Sequence, residues 1–294
     1  MAKHHKYGGS TSGRWLNCPG STQLIEKLKA EGKIPKTSPT SIYAEVGTVA
    51  HALGEICLVH KFDINDFYGK TIPQTIGKKL TKKYLDQKEL KHVDLDKEII
   101  NEDYIQAVTT YINYAEENTF QESVIFVEGR FELSKYVGAD CGGSSDLSII
   151  QPPIRVLHVI DYKHGQGVIV DIEGNTQLRL YALGIYRKYK NKYDFDKIII
   201  TIVQPRARHN EGSIRTEEFS IKELVTWGRK TLKPAIKLSE SKNPPIIAGE
   251  KQCAWCEAAG HCKENANHSL SIAQQDFATV ADTTAKLPAP QTLT

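Results

Sequence analysis

The chain has 294 residues, 40% hydrophobic and 25% charged, which excludes wholesale disorder and supplies material for a sizeable core. Lys and Arg total 38 against 35 Asp and Glu, a formal net charge of +3. Global charge therefore does not mark a nucleic-acid binder, and any such role rests on local patches. No run approaches the ~18 apolar residues of a membrane-spanning helix, and the basic start Lys3-His4-His5-Lys6 has no apolar segment behind it. A cytoplasmic protein without a membrane segment is expected. Six cysteines are too sparse for a disulfide scaffold, so their spacing matters more than their number.

Residues 1–13 are rich in Gly, Ser, Thr and His and read as a flexible N-terminus. The aromatic segment Arg14-Trp15-Leu16-Asn17-Cys18-Pro19 follows, and residues 30–42 read as a loop. From Tyr43 to His60, Val46, Val49, Ala50, Leu53, Ile56 and Cys57 recur at helical spacing. Residues 61–98 lack clear periodicity, and short helices are expected there. A second amphipathic helix, Glu98 to Glu117, carries Ile99, Ile105, Val108, Tyr111, Ile112 and Ala115 on one side.

The period then shortens. Ser123–Leu133 reads as a strand, Gly138–Ser144 as a glycine-rich turn, Asp146–Ile150 and Arg155–Tyr162 as two more strands. Asn175–Lys190 reads as a helix, and Lys197–Gln204 as a strand buried on both faces. An edge strand at Glu217–Ile221 and a helix over Lys222–Leu238 complete the pattern, while 269–294 reads as a disordered tail. The order helix, three-strand meander, helix, strand predicts an α/β fold with a mixed sheet under helical cover.

Chemistry concentrates in Gly142-Gly143-Ser144-Ser145-Asp146 and Asp161-Tyr162-Lys163. Asp146 opens one strand and Asp161 ends its neighbour, so in an antiparallel pair the two carboxylates can converge. Paired carboxylates with open positions suit Mg²⁺ or Mn²⁺. Lys163 shares the face of Asp161 and can meet charge building on a phosphate. Gln177 and Tyr181 are one helical turn apart, as are His51 and Glu55. Read alone, each is an ordinary polar residue; His51 by itself reads as a helix histidine paired with Glu55.

Together, His51, Asp146, Asp161-Tyr162-Lys163 and Gln177-x-x-x-Tyr181 resemble the RecB-type branch of the PD-(D/E)XK nucleases. The resemblance implies that His51, Asp146, Asp161 and the carbonyl of Tyr162 hold Mg²⁺ or Mn²⁺, and that Lys163 is the catalytic lysine. It implies that Gln177 and Tyr181 contact DNA or support the catalytic residues, with Glu128 a further acidic contributor. Cys253-x-x-Cys256-x5-Cys262, with Cys18 far upstream, makes a four-thiol set that spacing alone leaves open between zinc, with His261 as a substitute ligand, and an iron–sulfur cluster. The resemblance to the exonucleases of CRISPR adaptation and to AddB-type nucleases, which place one cysteine before the core and three after it, implies a [4Fe–4S] cluster. Such a cluster would staple a loop of more than 230 residues. Cys57 and Cys141 read as packing residues.

The segments Ser12-x-x-Trp15-x-x-Cys18-Pro19, Glu45-x-Gly47-Thr48-x-x-His51 and Asp161-Tyr162-Lys163-x-Gly165-x-Gly167 are similar to a phage and prophage family, uncharacterised domain number 2800. The likeness spans roughly 10–266. With the RecB-type resemblance, one nuclease domain is expected over 14–268: a helical part at 14–97, a core at 98–240 and a cysteine segment at 241–268. The implied activity is a metal-dependent exonuclease on single-stranded DNA or duplex ends, working with phage replication or recombination proteins. The alternative is a DNA-binding accessory protein that keeps the fold without cleaving. Arg206 and Arg208 are candidate phosphate contacts, as are Lys78-Lys79, Lys82-Lys83 and the Arg187–Lys192 cluster, though each reads first as solvated surface. Trp15, Trp227 and Trp255 read as buried rather than base-stacking.

Overall fold

A computed structural model describes residues 5–37, 41–88 and 94–284. In chain order the elements are β1 (Tyr7–Gly8), α1 (Ser12–Asn17), α2 (Ser21–Ala30), α3 (Ile42–His60), α4 (Ile72–Ile76), α5 (Lys78–Lys88) and α6 (Glu102–Glu117). Then come β2 (Val124–Glu132), α7 (Ser134–Val137), β3 (Cys141–Gln151), β4 (Val156–Tyr162), α8 (Thr176–Tyr189), β5 (Lys197–Val203) and β6 (Ile214–Ser220). The chain closes with α9 (Ile221–Trp227), α10 (Lys233–Ser239), α11 (Glu250–Cys253) and α12 (Lys263–Thr284). The described residues form two compact units, one of 5–12 with 41–237 and one of 13–37 with 238–284. Cys18, Cys253, Cys256 and Cys262 all fall in the second unit.

The first unit is built on one six-stranded mixed sheet. β2 runs antiparallel to β3 from Val124↔Ile150 to Glu132↔Gly142, and β3 antiparallel to β4 from Leu147↔Ile160 to Gln151↔Val156. α8 carries the chain back so that β5 lies parallel to β4, and β6 closes the edge antiparallel to β5. This is the expected order of helix, meander, helix and strand. β2 occupies one edge of β3 along its length. The other edge is shared, by β4 at Leu147–Gln151 and by β1 at Cys141–Gly142.

The core explains the order. Val49, Leu53 and Ile56 of α3, Val108 and Tyr111 of α6, and Leu147, Ile149, Ile160 and Tyr162 of the sheet form one buried apolar cluster. β4 is buried at every position, as a strand covered on both sides must be. By length and composition alone α3 is apolar enough to cross a membrane. Its apolar side packs into this core, which accounts for the composition.

Four local expectations give way. Tyr7 and Gly8 pair with β3, and Tyr7 is fully buried, so the described part of the N-terminus is anchored. The glycine-rich turn is shorter than expected because β3 already begins at Cys141. The expected helix over 222–238 is broken by a π-helical turn at Gly228–Leu232. Residues 269–284 belong to α12 rather than to a disordered tail: the run is free of Gly and Pro and its alanines are good helix formers. Residues 285–294 lie outside the described residues.

Candidate active site

The site grows from the register of the sheet. Val127 pairs with Leu147 and Gly129 with Ser145, which sets Glu128 directly across from Asp146. Glu128 itself adopts a left-handed φ of 50°, a strained conformation for a residue with a Cβ. On the other side the β3–β4 ladder stops at Leu147↔Ile160. One rung further, Asp146 reaches across and accepts the Tyr162 N–H at 2.8 Å on Oδ2, replacing a strand-to-strand bond with a carboxylate contact. From the facing helix α3, His51 brings Nδ1 to 3.5 Å from the same oxygen. One ligand atom each of His51, Glu128 and Asp146 lies within 4.8 Å of the others, the one such group of three among the described residues. Imidazole with two carboxylates is a donor set that can hold a divalent cation.

Asp161 is near this group and outside it. Its Oδ2 pairs with the Lys163 ammonium at 2.7 Å, and its Oδ1 accepts from Gln177 Nε2 at 3.0 Å. Gln177 also donates to the Tyr181 hydroxyl at 2.8 Å. Asp161 is buried, and that burial, with the Asp146 carboxylate beside it, lifts its carboxyl above the usual range while Lys163 pulls the other way. Burial works against the Lys163 ammonium, but Asp161 and Asp146 outweigh it and raise its pKa. The phenol of Tyr111 is pushed well up, first by burial and then by the field of Asp146, Glu128, Asp161 and Glu55. Four carboxylates thus act on one buried spot, an environment that favours a cation.

The expected set of His51, Asp146, Asp161 and Tyr162 is therefore drawn together with a change of partners. Glu128 stands beside Asp146 because the ladder puts it there, and Asp161 is engaged by Lys163 and Gln177. The Tyr162 side chain is buried, stacked on Tyr111 at 5.0 Å and bonded through its hydroxyl to His164 Nδ1 at 2.7 Å. Tyr181 is held from behind by Gly9: a Cβ there would come within 2.2 Å of its ring. Neither Gly9 nor Tyr111 was singled out as part of the site from sequence, because neither contact is local.

A cleft of about 430 Å³ opens beside the cation-type group, lined by Thr48, His51, Glu55, Tyr84, Glu128 and Arg130 among others. Tyr84 donates its hydroxyl to Glu55 Oε2 at 2.8 Å, tying α5 to α3 across the cleft. Glu55 is legible as the residue one turn after His51; Tyr84 sits in a segment with no periodic signal. Arg206 lies near the strand end, with Nη1 3.5 Å from the His164 carbonyl and Nη2 3.4 Å from Asp103, while Arg208 is exposed. Lys78, Lys79, Lys82 and Lys83 are exposed on α5. Arg187 covers the Tyr136 ring at 3.9 Å, and Lys188 donates to the Arg130 carbonyl, so that cluster is partly structural. A Cβ at Gly165 or Gly167 would meet nothing, so neither glycine serves a close approach within the protein.

In the second unit, Cys18, Cys253, Cys256 and Cys262 line one small cavity. Cys18 Sγ accepts the Ile247 N–H at 3.2 Å, and Cys253 Sγ the Gly249 N–H at 3.5 Å. Burial raises the Cys18 and Cys256 thiols, and their neighbouring thiols add to it. Four converging sulfurs with backbone N–H donors form a set that can take a thiophilic metal or cluster. Cys57 and Cys141 are buried elsewhere, each with its thiol pushed up to about 12 by its surroundings, as packing residues are. Of the tryptophans, Trp15 is fully buried, but Trp255, between Cys253 and Cys256, is 80% exposed, contrary to expectation. It occupies the turn that presents the two thiols, whose buried contacts are made by Cys256 and Ala258 instead.

The model of one protein family, described as a protein of unknown function (DUF2800), matches residues 4–289. Since the match covers nearly the whole chain, the protein belongs to the DUF2800 family.

Proposed function

We propose that the protein is a divalent-cation-dependent deoxyribonuclease, an exonuclease acting on single-stranded DNA or duplex ends. The observation that supports this reading most is the meeting of His51, Glu128 and Asp146 with the Asp161–Lys163–Gln177 group at the splayed end of β3 and β4. A bound Mg²⁺ or Mn²⁺ supplies Lewis-acid polarisation of a phosphodiester and favours formation of a nucleophile from water. The mixed imidazole and carboxylate donors suit Mn²⁺ better than Mg²⁺, whose preference is for oxygen alone.

The protein's own groups have separable roles. The Tyr162 amide fixes the Asp146 carboxylate, leaving its remaining lone pairs for a cation. Gln177, which also donates to the Tyr181 hydroxyl, holds Asp161, and Asp161 orients the Lys163 ammonium. Held charged by its carboxylate neighbours, Lys163 offsets negative charge building on the phosphate. In the second unit, Cys18, Cys253, Cys256 and Cys262 would hold a structural cluster. The order of these cysteines, one before the sheet unit and three after it, favours a [4Fe–4S] cluster over zinc, as in the nucleases the sequence resembles. The setting we favour is phage DNA replication or recombination in a bacterial cytoplasm.

Digestion of end-labelled DNA with Mn²⁺ tests the reading. Wild type should degrade it, with Lys163→Ala and Asp146→Asn slower by orders of magnitude; equal loss in all three would mark a contaminant. A second reading, a DNA-binding accessory that does not cleave, is favoured by one observation: both oxygens of Asp161 are already engaged within the protein. Tight DNA binding without degradation by wild type would select it.

A further inference from the structure

The segment joining β4 to α8 begins directly after Lys163 and is braced from below. Gln204, 1% exposed, donates Nε2 to the carbonyls of Gly165 at 3.2 Å and Val168 at 2.8 Å. Its Oε1 accepts the Val170 N–H at 3.2 Å and Arg215 Nη2 at 2.8 Å. Arg215, 2% exposed, also donates Nη2 to the Val170 carbonyl at 3.0 Å. Burying a guanidinium is costly, and here Nη2 is spent on the loop and its glutamine brace while Nη1 donates to the Gly212 carbonyl. The brace also fixes where the loop lies. The Lys163 N–H donates to the Val203 carbonyl at 2.8 Å, and Gln204 is the next residue. The Val168 backbone is therefore one glutamine side chain away from the strand end that carries Lys163.

The loop so held turns apolar side chains outward: Val168 is 55% and Ile169 45% exposed. A single exposed aliphatic residue is ordinary surface. Two in succession, on a loop whose backbone is pinned by a buried glutamine and arginine, beside groups suited to a phosphate, form a fixed apolar contact. Resting on the proposed nuclease reading, we infer that Val168 and Ile169 receive a nucleobase of the strand whose phosphate the site handles. Bases are flat and apolar on their faces and come covalently attached to that phosphate, so an apolar patch on the segment that follows Lys163 suits the strand itself. Contact with base faces is indifferent to sequence. The braces act through the loop, so Gln204 and Arg215 are positioning residues.

The test is binding of two single-stranded oligonucleotides in Ca²⁺, one with bases throughout and one with abasic residues at both ends. Wild type should bind the base-bearing strand about tenfold more tightly, the scale of losing one or two apolar side-chain contacts. Val168→Ser/Ile169→Ser should erase that preference and leave affinity for the abasic strand unchanged. Val168→Leu/Ile169→Leu, which keeps the apolar surface, should retain it. A preference that survives the serine variant, or its absence in wild type, overturns the inference. If wild type degrades DNA with Mn²⁺ yet ignores the abasic change, this inference alone falls. If it neither binds nor degrades DNA, the nuclease reading falls with it.

Discussion

The acid-and-lysine site and the four-thiol site are built by opposite means. The first is carried by strand register: Glu128, Asp146 and Asp161 are set by backbone pairing, and each carboxylate of the β3–β4 end is tied to the protein by a hydrogen bond. The second gathers one thiol from near the start of the chain and three from short elements near its end, with backbone N–H contacts at Cys18, Cys253 and Cys256. A site made by a ladder keeps its shape without a ligand. One made from short helices and turns leans more on its ligand, here beside a small core of Ile25, Leu28, Ile34 and Ala258.

That contrast is open to direct attack. The largest effect is expected from Cys18→Ala. If the thiols hold a cluster, losing one ligand should weaken its hold and destabilise the second unit, since a whole structural metal site contributes on the order of 10 kcal/mol. Limited proteolysis should then cut within 238–284 while the sheet unit survives. Intact protection would show that packing, not a ligand, holds the thiols.

Asp146→Asn should do the reverse. Removing one carboxylate from a crowded acidic spot leaves the thermal midpoint unchanged or higher, while Mn²⁺ affinity falls about 10- to 100-fold or more. Titration calorimetry alongside thermal melting separates the two. A midpoint that drops with unchanged cation affinity would mean the carboxylate is structural.

A third effect is acid sensitivity confined to the sheet. His158 is buried against Thr201 at 2.8 Å, and burial lowers its pKa from 6.5 to about 4. Below pH 6.5 the unfolded chain takes up a proton that the folded chain refuses, so stability falls as pH drops. The loss reaches about 3 kcal/mol by pH 4, roughly 2 of it between pH 7 and 5. His164, pushed down to about 3 by burial and Arg206, adds in the same direction. His158→Gln should flatten the pH dependence of urea unfolding by its share; an identical slope would remove His158 from the account.

The smallest effect is steric. In α8, Gly184→Ala would gain about 1 kcal/mol from helix propensity in open space. Its Cβ would fall 2.0 Å from the Phe131 ring, so the expected sign is reversed, with a net loss of about 1–3 kcal/mol. A rise in midpoint would show that Phe131 can move aside.

The legibility of these regions differs as their construction does. Local signals sufficed for α3, α6, β2, β4, β5 and α8, because burial of one face imprints a period of 3.6 or 2 on the residues themselves. They do not join His51, Asp161, Lys163 and Gln177, each ordinary when read alone; only the resemblance to a nuclease branch groups them. Local signals did not reveal β1, a two-residue strand with no period to detect, nor the π-helical turn at Gly228–Leu232, nor the helix over 269–284, whose residues from Ser269 to Gln275 are exposed or half-buried and carry no buried stripe. Tyr84 was missed because its meaning lies in Glu55, far away in the chain.

The order of elements, the α/β class and the residue types available for chemistry follow from the sequence alone, since each depends on neighbours within a turn or a strand. Which carboxylate faces which was settled only in three dimensions. Asp146 stands opposite Glu128 and takes the Tyr162 amide, while Asp161 is claimed by Lys163 and Gln177. Cross-strand register and helix docking are non-local, and a one-residue slip in either would hand every side chain a different partner.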